Sequence, residues 1–299
     1  MNRRQFISKS AMALALGSLV GEKSFASIAS AAPNKGRIGI QLYSVRNELP
    51  NDFLGTLKKL SEIGYAQVEP FGFNTDKFFD YTMKELSKVV GDMGMTISST
   101  HTGSRLLSED INAPEWDFWK KCAEYLLSGG GKYAIQASFP GGREEVTLDL
   151  LKRIATFFNK AGEVCKQGGI KFGYHNHTTE FEKVGDEVIL EYLIKNTDPE
   201  LVFFQLDMGH TVNGGGDCFH LLSTYPKRFP LWHASDFHAI NRGYTQLGQG
   251  SAPYPALFEI ADSSGLEILT IEQETDQNAI AACKTDFDYL KQFKWTQVL

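Results

Sequence analysis

The chain has 299 residues, a formal net charge of −6, 42% hydrophobic residues and 22% charged residues. This composition is typical of a globular protein with one large domain or two smaller ones. The acidic balance, without a long basic segment, argues against a nucleic-acid partner, because phosphate binding requires clustered lysine and arginine.

The first residues predict an export signal. Arg3 and Arg4 precede the apolar segment AMALALGSLV, and the small residues of SFASIASAA follow it. The twin arginines, with Phe6 two positions later, resemble a twin-arginine signal; a plain secretory signal and a retained membrane tether are the alternatives. The apolar segment is too short to span a bilayer. We therefore expect residues 1–35 to be an export signal with a flexible start, and the mature protein to be periplasmic without a membrane span.

From residue 36 onward, short apolar segments alternate with longer amphipathic ones. The predicted strands are RIGIQLYS, YAQVEPFGF, MTISSTHTG, KYAIQASFPGG, IKFGYHNH, LVFFQLDMGH, FPLWHASDF and LEILTIEQE. A helix follows each strand; the first begins after Asp52 as its N-cap and ends at Gly64. Alternating strands and helices predict parallel strands joined by crossovers.

Eight strand–helix pairs without an intervening linker predict a single-domain (β/α)8 TIM barrel over residues 36–299. The alternative is an open, doubly wound sheet. Its glycine-rich turn after the first strand is missing, since QLYSVRN contains no glycine. The four cysteines, Cys122, Cys165, Cys218 and Cys283, are far apart in sequence, and we expect buried free thiols.

Polar side chains gather at the carboxyl ends of the predicted strands, where the active site of such a barrel lies. Six of the seven histidines are at or just beyond these ends, and only His220 is within a predicted helix. In strand order the residues are Gln41 and Tyr43; Glu69; His101; Gln136; His175, Asn176 and His177; Asp207 and His210; His233, Asp236 and His238; and Glu272 and Glu274.

Four of these strand ends form a candidate metal site. Side chains alternate along a strand, so His175 and His177 share a face while Asn176 points the other way. The proposed ligands are His175, Asp207, His233 and Glu272, with His177 as a substitute for His175. Two imidazoles and two carboxylates suit one divalent ion such as manganese, cobalt or zinc. Taken singly, each residue could instead be a hydrogen-bonded histidine, a turn cap or a surface charge; together they favour a metal.

A divalent ion can hold a carbonyl and a neighbouring hydroxyl of a sugar, acidify the adjacent C–H and stabilise an enediolate. Returning the proton elsewhere gives isomerisation or epimerisation, whereas loss of a β-substituent gives elimination. The candidate acid/base residues are Glu272, His177 and Glu69. The candidate substrate-binding residues are Tyr43, His101, Asn176, His210 and Asp236, of which Asp236 could instead orient a ligand or cap a turn. The aromatic residues Tyr43, Phe71, Phe73, Phe139 and Trp232 could face a sugar ring or pack in the core.

The segments GIQLYSVR, GYHNHTTEF, LDMGH, LWHASDFH, LGQGSAPYPALF and IEQE resemble the xylose isomerase-like TIM barrel superfamily, often called sugar phosphate isomerases/epimerases. The resemblance covers roughly residues 36 to 295. It implies a divalent metal held by a carboxylate from strand five, an aspartate from six, a histidine from seven and a glutamate from eight. The last three match Asp207, His233 and Glu272, but strand five offers His175 or His177 instead of a carboxylate.

These observations favour a metal-dependent isomerase or epimerase acting on a sugar or keto-sugar. One alternative is a metal-dependent lyase or hydratase of 3-keto-glycosides, which the missing strand-five glutamate and the export signal favour. Another is a non-catalytic sugar-binding barrel, which the near-complete ligand set opposes. An abasic-site endonuclease would need several metals and a basic groove, which the acidic balance opposes.

Overall fold

A computed structural model of the protein describes residues 38–72, 77–105, 110, 112–142, 145–238, 240–275 and 278–297. The predicted export signal and Phe73 lie outside the described residues. In the part of the chain that is described, no helix combines the length and apolar character needed to cross a membrane.

Eight parallel strands form the central sheet. They are β1 (Ile38–Gln41), β2 (Gln67–Glu69), β3 (Thr96–Ile97 and Ser99–Thr102), β4 (Tyr133–Gln136), β5 (Lys171–His175), β6 (Val202–Asp207), β7 (Leu231–Ala234) and β8 (Ile268–Ile271). Each strand pairs with the next in sequence, and β8 pairs with β1. The predicted TIM barrel is confirmed.

The barrel closes at an interruption in β3. Its first segment pairs with β2 and its second with β4, and only Ser98 separates them. Beyond the end of β2, the backbone N–H of His101 donates to the carbonyl of Pro70 at 2.8 Å. This bond joins the two edges of the sheet.

Helices surround the strands. They are α1 (Phe53–Ile63), α2 (Met83–Asp92), α3 (Asp117–Ser128), α4 (Leu148–Gln167), α5 (Ile189–Lys195), α6 (Met208–Asn213), α7 (Cys218–Thr224), α8 (Tyr254–Glu259), α9 (Ala261–Ser264) and α10 (Ala279–Leu290). The predicted limits of α1 are confirmed, because Asp52 accepts a bond from the N–H of Gly55 at 2.9 Å and Gly64 ends the helix with φ 119°. Short 3-10 segments lie at Leu42–Val45, Pro114–Trp116, Thr179–Phe181 and Lys294–Gln297.

The main core lies between the helices and the outer face of the barrel. Trp119 packs edge-on against Phe172 of β5, with ring centroids 4.9 Å apart. Trp232 is buried in this layer near Phe258, and Phe139 packs against the same core. Of the two alternatives for Trp232 and Phe139, packing in the core is therefore the one that the structure shows. All four cysteines are buried free thiols within helices, as expected.

A smaller apolar cluster fills the lower interior of the barrel. It consists of Tyr133, Ile135, Phe203, Leu231 and Ile268. Because side chains alternate, the residues two and four positions further along these strands face the interior nearer its carboxyl end. Apolar packing below therefore supports a polar layer above.

Candidate metal centre and cavity

Four side chains at the carboxyl end of the barrel converge on one point. His175, Asp207, His233 and Glu272 each offer a ligand atom, and all four atoms lie within 4.8 Å of one another. All four residues are buried. Donors placed at about 2.0–2.2 Å from one ion lie roughly 3–4 Å apart, so this cluster needs little movement to bind a metal.

Asp207 shows that the cluster fits a cation. Its Oδ1 accepts bonds from the backbone N–H of His210 at 2.7 Å and from the hydroxyl of Ser235 at 2.6 Å. Its Oδ2 is buried and has no hydrogen-bond partner among the described residues. An unpaired buried carboxylate oxygen is costly. A divalent ion at this point would supply the missing partner.

Gln205 determines which nitrogen of His175 faces the cluster. Its Oε1 lies 3.1 Å from Nδ1 of His175, while its Nε2 donates to Oε2 of Glu69 at 3.1 Å. The amide oxygen can only accept, so Nδ1 of His175 carries the proton. Nε2 then keeps its lone pair, and it lies 3.9 Å from Oε2 of Glu272.

His233 lies between two carboxylates. Its Nδ1 is 2.8 Å from Oε2 of Glu272, and its Nε2 is 2.8 Å from Oε1 of Glu69. Burial alone would lower the pKa of His233, but Glu69 and Glu272 outweigh it and raise that pKa to about 10. Burial alone would raise the pKa of Glu272, yet His233 holds it at about 2. Without metal, a proton on His233 therefore balances part of the negative charge.

Glu69 contacts the cluster through His233. It is 1% exposed and also accepts from Nε2 of Gln41 at 2.7 Å and from the hydroxyl of Ser99. Burial would raise the pKa of Glu69, but His101 and His233 lower it to about 2. We expected an acid/base residue here. Since its oxygens are already occupied by donors, we reassign Glu69 to orienting His233, as carboxylates commonly orient metal-bound histidines.

His101 borders the same group. Its Nε2 lies 2.7 Å from Oε1 of Gln205 and 3.1 Å from Oε1 of Glu69, and its ring stacks on His233 at 4.9 Å. It forms a second possible ligand group with His175 and His233. We favour the ligand group of His175, Asp207, His233 and Glu272, because a metal bound there would explain the unpaired oxygen of Asp207.

A cavity of about 560 Å³ opens beside the cluster. Its lining residues are Tyr43, Phe71, Gly72, His101, Thr102, Gly103, Ala137, Ser138, His177, Tyr244, Glu272 and Glu274. Of the predicted aromatic wall, Tyr43 and Phe71 are present and meet edge-to-face at 5.2 Å. The cavity is large enough for a small organic substrate.

His177 faces this cavity, whereas His210 lies behind it. The ring of His177 is 4.9 Å from the rings of both His175 and His210. Burial and the nearby His210 lower the pKa of His177. Both nitrogens of His210 have partners: Nδ1 is 2.9 Å from the hydroxyl of Thr178, and Nε2 is 3.0 Å from that of Tyr244.

Asn176 and Asp236 lie outside the cavity lining, although we expected them to bind substrate. Asn176 accepts from the N–H of Asp207 at 3.0 Å and donates to Thr211 at 3.3 Å. Asp236 accepts from the backbone N–H groups of Gly248, at 3.0 Å, and of two further loop residues. Asn176 therefore helps to position Asp207. Asp236 instead fixes the shape of the loop after β7. His238 is exposed and also outside the lining.

Sequence reasoning missed Gln205 and Tyr244. Gln205 shares a strand face with Asp207, so its parity was an available signal. Tyr244 lies in a short antiparallel pair, Asp236–Phe237 with Tyr244–Thr245, beyond the end of β7. No strand-end pattern marks such a position.

Known proteins resemble this fold and sequence. The sequence profile described as xylose isomerase-like TIM barrel matches residues 57–293. A sugar phosphate isomerase/epimerase of Parabacteroides distasonis is 31% identical with a TM-score of 0.77, covering 90% of this chain and 97% of that one. An inosose dehydratase of Clostridium perfringens is 27% identical over 262 residues, which are 80% of this chain and 79% of that protein.

A more distant structure, an IOLI protein with a bound zinc atom, has a TM-score of 0.68 at 14% identity and covers 87% of this chain and 98% of that one. This match concerns the fold alone. The profile match covers well above half of the chain. The chain therefore belongs to the xylose isomerase-like TIM barrel family.

Proposed function

We propose that the protein is a metal-dependent lyase or dehydratase that eliminates water or an alcohol from a cyclic keto-sugar or keto-polyol. The observation that carries the proposal is the imidazole of His175 at the end of β5. Among the described cavity residues, both carboxylates, Glu272 and Glu274, come from the end of β8. An opposed pair of carboxylates, which would suit proton transfer between two faces of one carbon, is therefore missing from the described lining.

The chain's own residues supply the remaining parts. His175 Nε2, Asp207 Oδ2, His233 Nδ1 and Glu272 would hold a manganese, cobalt or zinc ion. Bound there, the ion supplies a Lewis acid for a substrate carbonyl.

His177 is the proposed base for the C–H next to that carbonyl, because it lines the cavity and its lowered pKa keeps the imidazole neutral near pH 7. Glu272, which also lines the cavity, remains the alternative base.

The cavity favours an uncharged substrate. Among the described residues that line it, none is lysine or arginine, while Glu272 and Glu274 are acidic. A phosphate group would need cationic partners that this lining does not supply. The name of the Clostridium perfringens relative, a dehydratase of inosose, also supports elimination from an uncharged cyclic ketone.

Isomerisation or epimerisation is the second candidate. The likeness to the Parabacteroides distasonis protein, described as a sugar phosphate isomerase/epimerase, favours it. Both reactions would begin with removal of the same proton, and they differ in whether a β-substituent leaves.

The test is to load the purified protein with manganese, cobalt or zinc and to offer inosose, 3-keto-glucosides and simple ketoses. We expect formation of a conjugated enone, seen by ultraviolet absorbance, from the first two substrates. Interconversion of ketoses without enone formation would favour the second candidate. No reaction with any substrate, despite bound metal, would contradict both and favour a binding protein.

A further inference from the structure

Tyr244 is one of the polar side chains of the cavity to which the proposed function gives no role. It lies on the antiparallel pair after β7, and its ring packs on Phe237 with centroids 4.2 Å apart. Its ring is therefore held in place by packing. Its hydroxyl lies on the same side of the cavity as Glu274, to which it is bonded.

Hydrogen bonds orient this hydroxyl. It donates to Oε1 of Glu274 at 2.6 Å, and it lies 3.0 Å from Nε2 of His210. Nδ1 of His210 is in turn 2.9 Å from the hydroxyl of Thr178. When Tyr244 donates to Glu274, His210 Nε2–H donates to the phenol oxygen and Thr178 donates to His210 Nδ1. The three bonds are thus mutually consistent.

The hydrogen bonds to Thr178 and Tyr244 place His210 where it does not reach the substrate directly. Both of its ring nitrogens are occupied, and it is absent from the cavity lining, whereas Tyr244 is present there. The group that reaches the substrate is the phenol, with the histidine behind it. We expected His210 to bind substrate; the geometry makes it a positioning residue for Tyr244.

We propose that Tyr244 is a catalytic residue that protonates the leaving oxygen in the elimination, a role that rests on the proposed function. The base takes the proton from the carbon beside the carbonyl, and the C–H electron pair becomes the new C=C bond. The β C–O bond breaks, and its oxygen takes the proton of Tyr244. The phenolate is then stabilised by His210 Nε2–H. Tyr244 then regains a proton from solvent and the base releases one to solvent, so both groups return to their starting protonation states.

The surroundings of Tyr244 suit a proton donor. Burial, and then the charge of Glu274, raise the pKa of Tyr244, so the hydroxyl is protonated at neutral pH and gives up its proton only to a strong base such as a developing alkoxide. An alkoxide needs such a proton in order to leave. A 4-nitrophenolate does not, and this difference provides the test.

The experiment compares methyl and 4-nitrophenyl 3-keto-β-D-glucopyranosides with the metal-loaded protein and its Tyr244→Phe variant. We expect kcat on the methyl substrate to fall about 10²–10⁴-fold, the usual contribution of a general acid, and kcat on the 4-nitrophenyl substrate to fall less than about 10-fold. In deuterated water, exchange of the C2 proton should continue in the variant, because the base is intact.

Tyr225→Phe is the matched control, because Tyr225 also donates to a glutamate, Glu191, at 2.6 Å but lies outside the cavity lining. It should change neither rate. His210→Gln, which keeps an N–H donor, should show the same dependence on the leaving group at smaller amplitude, and it replaces Tyr244→Phe if that variant does not fold.

Equal losses of kcat on both substrates, or a change in KM alone, would overturn the role of Tyr244 while leaving the elimination in place. Absence of both C2 exchange and elimination in the wild-type protein would instead overturn the proposed function. The two failures are therefore distinguishable.

Discussion

Gln205 Oε1 lies 3.1 Å from Nδ1 of His175, and this contact leaves Nε2 as the nitrogen of His175 that faces the cluster. The same amide contacts Nε2 of His101 at 2.7 Å and donates to Glu69 at 3.1 Å. One buried glutamine thus orients an imidazole of the candidate metal site and connects it to Glu69, the carboxylate that contacts His233.

Gln205→Leu tests this relationship. It removes the acceptor for His175 while keeping similar bulk, so the ring and its tautomer lose their constraint. We expect metal affinity to fall about 10–100-fold, as is typical when a residue that orients a ligand is lost. Competition titration against a chelator measures it, with the exposed Gln249→Leu as control. Unchanged affinity would show that His175 is oriented by other contacts.

Asp207→Asn tests the unpaired oxygen. The variant keeps an oxygen for the bonds from His210 and Ser235 but places an NH₂ group where Oδ2 now lies. We expect bound metal, measured by elemental analysis, to fall below about a tenth of the wild-type content, because loss of a ligand exceeds loss of an orienting residue. Full metal content with normal folding would exclude Asp207 as a ligand.

Metal binding should release a proton. In the metal-free protein the pKa of His233 is raised to about 10, so the imidazole is charged at pH 7, whereas a metal requires it neutral. Affinity should therefore increase about tenfold per pH unit between roughly pH 7 and pH 9. Calorimetry in buffers of different ionisation enthalpy counts the proton. Glu69→Gln should shift this dependence to lower pH, since it removes one of the charges that raise the pKa of His233.

The metal should also stabilise the fold. A ligand that binds only the folded state adds about 2.7 kcal/mol at a free concentration one hundred times its Kd. We expect the free energy of unfolding of wild type to rise by this amount in denaturant titrations with metal. The Asp207→Asn protein should show no increase, and an equal increase in both proteins would indicate binding elsewhere.

Gly173→Ala should destabilise the barrel. A Cβ at Gly173 would lie 2.3 Å from the ring of Phe203, inside the apolar cluster below His175. Overpacking of this kind costs about 1–3 kcal/mol, and urea unfolding measures it. Gly91→Ala is the matched control, because a Cβ there contacts nothing within 4 Å in helix α2; that variant should gain up to about 1 kcal/mol. Equal stability of the two variants would contradict the tight packing around Gly173.

The sequence was sufficient to predict the barrel and its ring of polar residues. Parallel strands bring their carboxyl ends together, so His175, Asp207, His233 and Glu272 could be grouped without coordinates. Orientation within the ring could not be predicted, because it depends on contacts between distant strands. Glu69, on β2, bonds to His233, on β7, across 164 positions of sequence. Likewise, Asn176 pairs with the backbone of Asp207, which strand parity alone does not reveal.

The interrupted third strand places the weakest edge of the barrel beside the cavity. β2 has three residues, and the β3 segment that pairs with it has two. Phe71 and Gly72 follow β2, and Gly103 follows β3, so this edge borders the cavity opening. The proposed ligands lie on the opposite side, at the ends of β5 to β8. Brief separation here would widen the entrance for a bulky substrate and would also loosen the contact of Glu69, the last residue of β2, with His233. Amide hydrogen exchange should be faster here than in β5 or β6.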